Sequence, residues 1–275
     1  MDGTTAGLGH IPRPLSPADP GPGTGRWPQA TEVLVTIPLI AKALVADWRV
    51  IEANLARTLG TLLRQTDPRW RAIVACHDVP CLPDDPRIRA LPVDRPLDGD
   101  DKWAKITAIL EAERPGPGTF LFALDADDLL HPDLFAHMLA EPAEGWLLTR
   151  GWSIDAPTGR IGGHGDPDDA HPLRCPLWHA SGTAGAVRMV PGDVKATRQM
   201  MVRHFELPDT AAAHGIALRP VPFPGAAYLV AHGENMESKA GREDGKRRYI
   251  AANEVPAPEA ADARRLLHLP DGPIA

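Results

Sequence analysis

"FLFALDADDLLHP", residues 120–132, decides how the chain is read. Phe120 to Leu124 are apolar, then Asp125, Asp127 and Asp128 put three carboxylates into four positions, and Pro132 closes the segment. An apolar run ended in this way reads as a strand that leaves the core and turns. Crowded like charges repel, and a carboxylate drawn from water loses hydration unless something positive answers it. Either solvent answers, in an acidic turn with Asp128 capping the next helix, or a cation does. Mg²⁺ and Mn²⁺ prefer carboxylate oxygen and often complete their shell with substrate phosphate.

Working back from that strand, apolar runs alternate with helical patterns. "EVLVTIPLI" (32–40), "RWRAIVACHD" (69–78) and "RIRALPV" (87–93) are short and apolar or β-branched, as strands are. Between the first two, "DWRVIEANLARTLGTLLRQ" (47–65) repeats Val50, Ile51, Leu55, Leu59, Leu62 and Leu63 at helical spacing, and Asp47 can cap its start. "DDKWAKITAILEAER" (100–114) predicts a helix, "GTFLFALDADD" (118–128) the fourth strand, "PDLFAHMLAEP" (132–142) a short helix and "GWLLTRGWSID" (145–155) a fifth strand. This alternation predicts an α/β fold, a mostly parallel sheet flanked by helices. In such sheets ligands sit beyond the carboxyl ends of the strands. Two acidic strand ends therefore belong together, Asp78 and the Asp125–Asp128 group.

Beyond residue 155 the pattern changes. "APTGRIGGHGDPDDAHP" (156–172) reads as loop, "GTAGAVRMV" (182–190) as a strand, "GDVKATRQMMVRHF" (192–205) and "TAAAHG" (210–215) as helices. "GAAYLVAHG" (225–233) predicts a strand leading into the polar "ENMESKAGREDGKRR" (234–248), and "APEAADARRLLHL" (257–269) a terminal helix. With no linker apparent, residues 31–255 are expected to form one domain. Its halves are 31–155 and 156–255, the second laid onto the same sheet. Residues 1–30, dense in Gly and Pro, are expected to be a flexible tail, and 256–275 a C-terminal helix and tail.

Composition narrows the classes. Of 275 residues 43% are hydrophobic and 24% charged, enough apolar material for a real core. The net charge of −7, with no long basic run, argues against nucleic acid as a partner. Three cysteines suit a reducing compartment rather than a disulfide framework, and "CHDVPC" lacks the second ligand pair that zinc would need. No run approaches the roughly 20 apolar residues that span a bilayer. A cytoplasmic protein is the expectation.

Several segments in order resemble family 2-type glycosyltransferases, which carry the GT-A nucleotide-sugar fold. "LFALDADDLLHPDLF" looks like their DxD region, and "TLGTLLRQTDPRWRAIVACHD" like the helix and strand before it. "DDKWAKITAIL" is similar to the stretch where a Lys or Arg precedes a helix near the nucleotide, and "YLVAHGENMES" to the late strand that returns a His to the metal. The resemblance implies a metal-dependent transfer, inverting at the anomeric carbon. The donor would be a nucleotide-diphospho-sugar, a UDP-sugar by preference, and the acceptor a saccharide or lipid-linked hydroxyl. Asp78 would meet the base. Lys102 or Lys105 would contact the base or a phosphate, and Asp125 the ribose or a metal-bound water. Asp127 and His232 would bind Mn²⁺ or Mg²⁺, with Asp128 in support. The family's "ED" pair, source of the catalytic base, has no clean match. "HFELPDTAAAHG" lies in its place and offers Glu206 and Asp209. Trp178 could stack on a sugar face, and Lys239 or Arg242 could close a flap on the diphosphate.

Two other classes stay open. The missing pair also suits a non-catalytic nucleotide-sugar-binding protein. "FALDADD" further resembles the nucleophile strand of haloacid-dehalogenase-type phosphatases, which usually stands near the N-terminus rather than mid-chain.

Overall fold

The computed structural model of the protein describes residues 29–94, 101–189, 203–235, 241 and 243–274. The expected N-terminal tail lies almost wholly outside them, as do Lys239, Arg242 and most of the helix expected at 192–205.

Among the described residues the larger sheet has seven strands. The first four by position in the chain are β1 (Glu32–Pro38), β2 (Trp70–Cys76), β3 (Ile88–Pro92) and β4 (Thr119–Ala123). A smaller sheet starts with β5 (Asp128–Leu130). Then come β6 (Gly145–Leu147), β7 (Gly151–Asp155), β8 (Ile161–His164), β9 (Gly185–Arg188), β10 (Leu218–Pro220) and β11 (Ala226–Val230). The larger sheet runs β10-β6-β9-β4-β1-β2-β3, and the smaller one β5-β11-β7-β8. β1 pairs parallel with both β2 and β4, β3 parallel with β2, and β10 parallel with β6. β9 alone in this sheet is antiparallel to its neighbours, β4 and β6. The expected architecture is therefore what the chain forms: α/β, with a mostly parallel central sheet flanked by helices.

The helices cover both faces because β1 alternates. Val33, Val35 and Ile37 point to one side, where α1 (Trp48–Leu63) buries Ile51, Leu55, Leu59 and Leu62. On that side α3 (Leu134–Ala140) adds Leu134, Phe135 and Met138. Leu34 points the other way, into a cluster with Ile106, Ile109 and Leu110 of α2 (Lys102–Glu113). Leu207 and Ala211 of a later helix, Leu207–Ala213, lie in the same cluster. Asp47 caps α1 as expected, its carboxylate accepting from the N–H of Arg49 at 2.9 Å.

Five expectations give way. The single strand read through 118–128 is two, with a turn at residues 124–127 that carries the chain from one sheet to the other. The run 145–155 likewise divides into β6 and β7, one in each sheet. The second half therefore does not simply extend the first sheet. It lends β6, β9 and β10 to it and builds the smaller sheet from β5, β7, β8 and β11. In the smaller sheet β11 is parallel to β7 and antiparallel to β5. The segment read as polar loop ends in a helix, Glu243–Ala252, and the loop at 156–172 contains β8. The C-terminal helix Ala257–Leu267 buries Ala263 and Leu267 against Trp152, Ile154 and Leu229 of the smaller sheet.

Candidate functional site

Because β1, β2 and β4 are parallel, the segments that follow them leave at one edge. Ala75 of β2 stands beside Pro38, and Ala123 of β4 beside Thr36. Asp78 and Asp125 follow within three residues of those positions, so both acidic strand ends reach the same edge. Asp78 accepts a hydrogen bond from the backbone N–H of Lys42 at 2.8 Å, which ties the turn after β1 to the end of β2.

The crossover from β4 to β5 separates the three neighbouring carboxylates. Asp125 Oδ1 lies 2.5 Å from Lys102 Nζ, at the first turn of α2. Its backbone N–H donates to Thr183 Oγ1 at 3.0 Å. Asp127 Oδ2 lies 2.7 Å from His232 Nε2, from the turn after β11. Asp128, first residue of β5, is 1% exposed and takes a 2.6 Å hydrogen bond from Ser181 Oγ. The Thr183 hydroxyl is close enough to act on the same carboxyl. Burial pushes the Asp128 carboxyl well above the ordinary carboxylate range, and the charges of Asp127 and Asp125 push it further. Burial, the largest single influence, opposes the charged form of Lys102, but Asp125 together with Asp128 and Asp127 outweighs it and favours the protonated ammonium. The cluster is thus two carboxylates with an ammonium and an imidazole as partners, and a third carboxyl favoured as the neutral acid.

Gly182 sits against this pair. A Cβ there would collide with Asp125 Oδ2 and crowd Lys102 Nζ, so any larger residue would have to displace that pair. Gly182 lies in "SGT" (181–183), after the short helix α4 (Leu177–Ala180). Ser181 and Thr183 also bond to each other, Thr183 N–H donating to Ser181 Oγ at 3.0 Å.

The turn carrying His232 is held firmly. Ala231 has φ 62° and Gly233 φ 89°, both left-handed. Glu234 Oε1 accepts from the backbone N–H groups of Ala46 (2.9 Å) and Asp47 (2.7 Å), at the start of α1. A carboxylate is favoured there by the helix dipole. His232 thereby reaches Asp127 across 105 positions of sequence.

Other expected site residues fall elsewhere. Lys105 is 1% exposed, its ammonium bonded to the Leu39 carbonyl (2.6 Å) and paired with Asp101 (2.6 Å). It braces the end of β1 and presents nothing to a ligand. Trp178 is 6% exposed and packs with Leu34, Ile73 and Leu147 in the core, so it has no free face for stacking on a sugar. Glu206 closes the 3-10 turn His204–Glu206, and Asp209 lies in the first turn of α5 (Leu207–Ala213); both are exposed. The residue of that segment directed inward is His204. Its Nδ1 lies 2.9 Å from the Trp178 carbonyl, and Lys102 and Asp125 are close enough to act on its charge. Sequence reading passed over His204, Ser181 and Glu234. A lone His or Ser has no periodic signal, and each acquires its role from a partner distant in the chain.

Asp127 and His232, in hydrogen-bond contact, offer one carboxylate and one imidazole that could hold a divalent ion. Carboxylate oxygen and imidazole nitrogen suit Mn²⁺. Among the described residues no group of three His, Cys, Asp or Glu side chains is placed to hold a metal.

No protein-family model matches the chain, and no curated protein matches it in sequence. Among solved structures it is similar to the 2-C-methyl-D-erythritol 4-phosphate cytidylyltransferase of Francisella tularensis. The TM-score is 0.38 at 12% identity, over 79% of this chain and 99% of that one. No helix among the described residues is long and apolar enough to cross a membrane.

Proposed function

We propose that this chain is a metal-dependent glycosyltransferase that moves a sugar from a nucleotide-diphospho-sugar, a UDP-sugar by preference, to an acceptor hydroxyl with inversion. The reading takes residues 31–255 as one GT-A-like domain and 256–275 as an appended helix. The observation that carries it is the meeting of Asp127 and His232, 2.7 Å apart, beside the Lys102–Asp125 pair at the carboxyl edge of a mostly parallel sheet.

In this reading Asp127 and His232 hold Mn²⁺ or Mg²⁺, which would neutralise charge on the leaving diphosphate. Lys102 adds a positive charge on the same side. Asp125 orients the ribose or a water, with Gly182 leaving the space. Asp78 accepts from the base, already fixed by the Lys42 N–H. Asp128 stays neutral and holds the "SGT" turn against Asp125.

The test is UDP release from a panel of UDP-sugars with Mn²⁺ and saccharide acceptors. Asp127→Ala is expected to lose roughly 100- to 1,000-fold in turnover, without recovery in excess Mn²⁺. His232→Ala is expected to recover in part, because the charged ligand remains. Binding without turnover would favour a nucleotide-sugar-binding protein. Phosphate release from phosphomonoesters would favour a phosphatase.

A further inference from the structure

Glycosyl transfer needs a group that takes the acceptor's proton, and the acids expected for it, Glu206 and Asp209, are exposed on the rim of their segment. We infer that His204 is the general base of this site. The inference rests on the proposed transfer.

His204 opens the 3-10 turn that packs on α4, and α4 runs straight into the "SGT" turn that grips Asp128 and Asp125. The 2.9 Å contact to the Trp178 carbonyl can only be a hydrogen bond if Nδ1 carries the proton. In the neutral ring that leaves the lone pair on Nε2, which has no hydrogen-bond partner among the described residues. A fixed Nδ1–H with an open Nε2 is the arrangement a histidine base requires. Trp178 is itself locked in the core, so the carbonyl that orients the ring cannot drift.

The charged groups facing the imidazole come from three elements. They are Lys102 of α2, Asp125 after β4, and Lys246 of α6 (Glu243–Ala252), whose ammonium is anchored 3.1 Å from the Ala180 carbonyl. Burial, the largest influence, lowers the imidazole's proton affinity; the Trp178 carbonyl and Asp125 oppose this, while Lys102 and Lys246 add to it. The ring is therefore neutral, and able to accept a proton, at neutral pH.

The step balances within the site. The acceptor oxygen forms its bond to the anomeric carbon as its proton passes to His204 Nε2. The bond from that carbon to the diphosphate breaks, and the diphosphate leaves with the electron pair beside Lys102. The imidazolium then returns its proton to water.

The experiment uses the full chain with Mn²⁺, UDP-glucose, UDP-galactose and their N-acetyl forms, and methyl glycosides as acceptors. His204→Asn keeps a donor for the Trp178 carbonyl but has no basic nitrogen. It is expected to lower kcat about 100-fold or more. Donor affinity by calorimetry should stay within a few-fold, and the acidic limb of the pH profile should disappear. His204→Gly should regain activity when imidazole is added, which loss of a purely structural contact would not allow. If the wild type transfers while His204→Asn keeps both its kcat and its acidic limb, the base assignment alone is overturned. The same holds if Glu206→Gln abolishes transfer and His204→Asn does not. If the wild type transfers to no acceptor from any of these donors, the enzymatic reading falls and the base with it.

Discussion

Both sheets have an apolar core, but they differ in the titratable groups they bury. The larger one is closed mainly by apolar side chains, with Thr36, Thr119 and Arg188 the buried polar residues of its described strands. Val33, Leu34, Val35 and Ile37 of β1 and Phe120 and Phe122 of β4 are fully buried, and Phe122 meets Phe135 edge-on at 5.7 Å. The smaller sheet buries polar groups in comparable places: Ser153 and Asp155 of β7 and His164 of β8. They survive there because each is answered. Ser153 Oγ meets His164 Nε2 at 2.7 Å. The other ring nitrogen lies 3.0 Å from the Cys175 carbonyl and 3.1 Å from Tyr249 Oη, and Tyr249 stacks on the ring at 4.8 Å. Asp155 is paired with Arg247 at 3.1 Å. An apolar sheet keeps its stability over a wide pH range, whereas a sheet of satisfied polar groups keeps it only while their protonation states hold.

The largest effect should therefore come from acid, and through the smaller sheet. Burial lowers the His164 pKa to about 3, while the unfolded chain keeps the ordinary value near 6.5. Below that ordinary value the unfolded state binds a proton that the folded state refuses. The stability is intact above about pH 6.5 and is lost as pH falls toward 3. Linkage puts the loss at about 3 kcal/mol between pH 7 and pH 4. Urea unfolding at the two pH values measures it, with His164→Gln as the control that removes this part of the slope. Equal slopes in both proteins would show that the buried imidazole is not what makes this sheet acid-sensitive. Amide exchange at pH 4 should open β7 and β8 before β1 and β4.

The same contrast explains what could be read in advance. α1 and the strands β1, β2 and β3 of the larger sheet carry dense apolar runs of the right period, and their bounds come out within about two residues of expectation. β8 hides behind Gly162 and Gly163. A Cβ at Gly162 would strike the Ile250 backbone of α6, so close packing requires the residue that removes the strand signal. α6 buries only Ile250 of its residues and contains Gly245, so no apolar stripe marks it as a helix. The split of 145–155 was not read because both pieces open on the same Gly-Trp pair and both are buried, so only their partners tell them apart. Within the site, the pairing of Asp127 with His232 was legible from order and resemblance. Lys105 and Trp178 were misjudged because composition cannot say whether a helix-borne Lys or a Trp faces the ligand or the core.

The turn that joins the two regions gives the next effect. Glu234 is buried, and its carboxylate is bonded to two backbone N–H groups at the start of α1. Hydrogen bonds to a charged acceptor contribute about 1.5–3 kcal/mol. Glu234→Ala should cost about 2 kcal/mol in urea unfolding. It should also raise the Mn²⁺ concentration needed for half-maximal activity, since His232 is held by the same turn. A loss of stability with no change in metal requirement would mean that the turn keeps its shape without the carboxylate, and that Glu234 serves the fold alone.

The smallest effect should be a gain. Ala231 adopts φ 62° between the last residue of β11 and His232, where a Cβ costs about 1–2 kcal/mol. Glycine removes that cost but gives the unfolded chain more freedom to lose, which returns part of the benefit. Ala231→Gly should therefore be stabilising by no more than about 1 kcal/mol, or roughly 2–4 °C in Tm for a chain of this size. Ala231→Val should be destabilising, because branching at Cβ worsens the same clash and the position is buried. The instructive measurement is activity beside Tm. If the strain is what presents His232 to Asp127, the glycine variant will melt higher yet need more Mn²⁺. If it melts higher with an unchanged metal requirement, the Glu234 bonds alone fix the turn. A lower Tm would mean that packing of the Ala231 methyl outweighs the strain in its backbone.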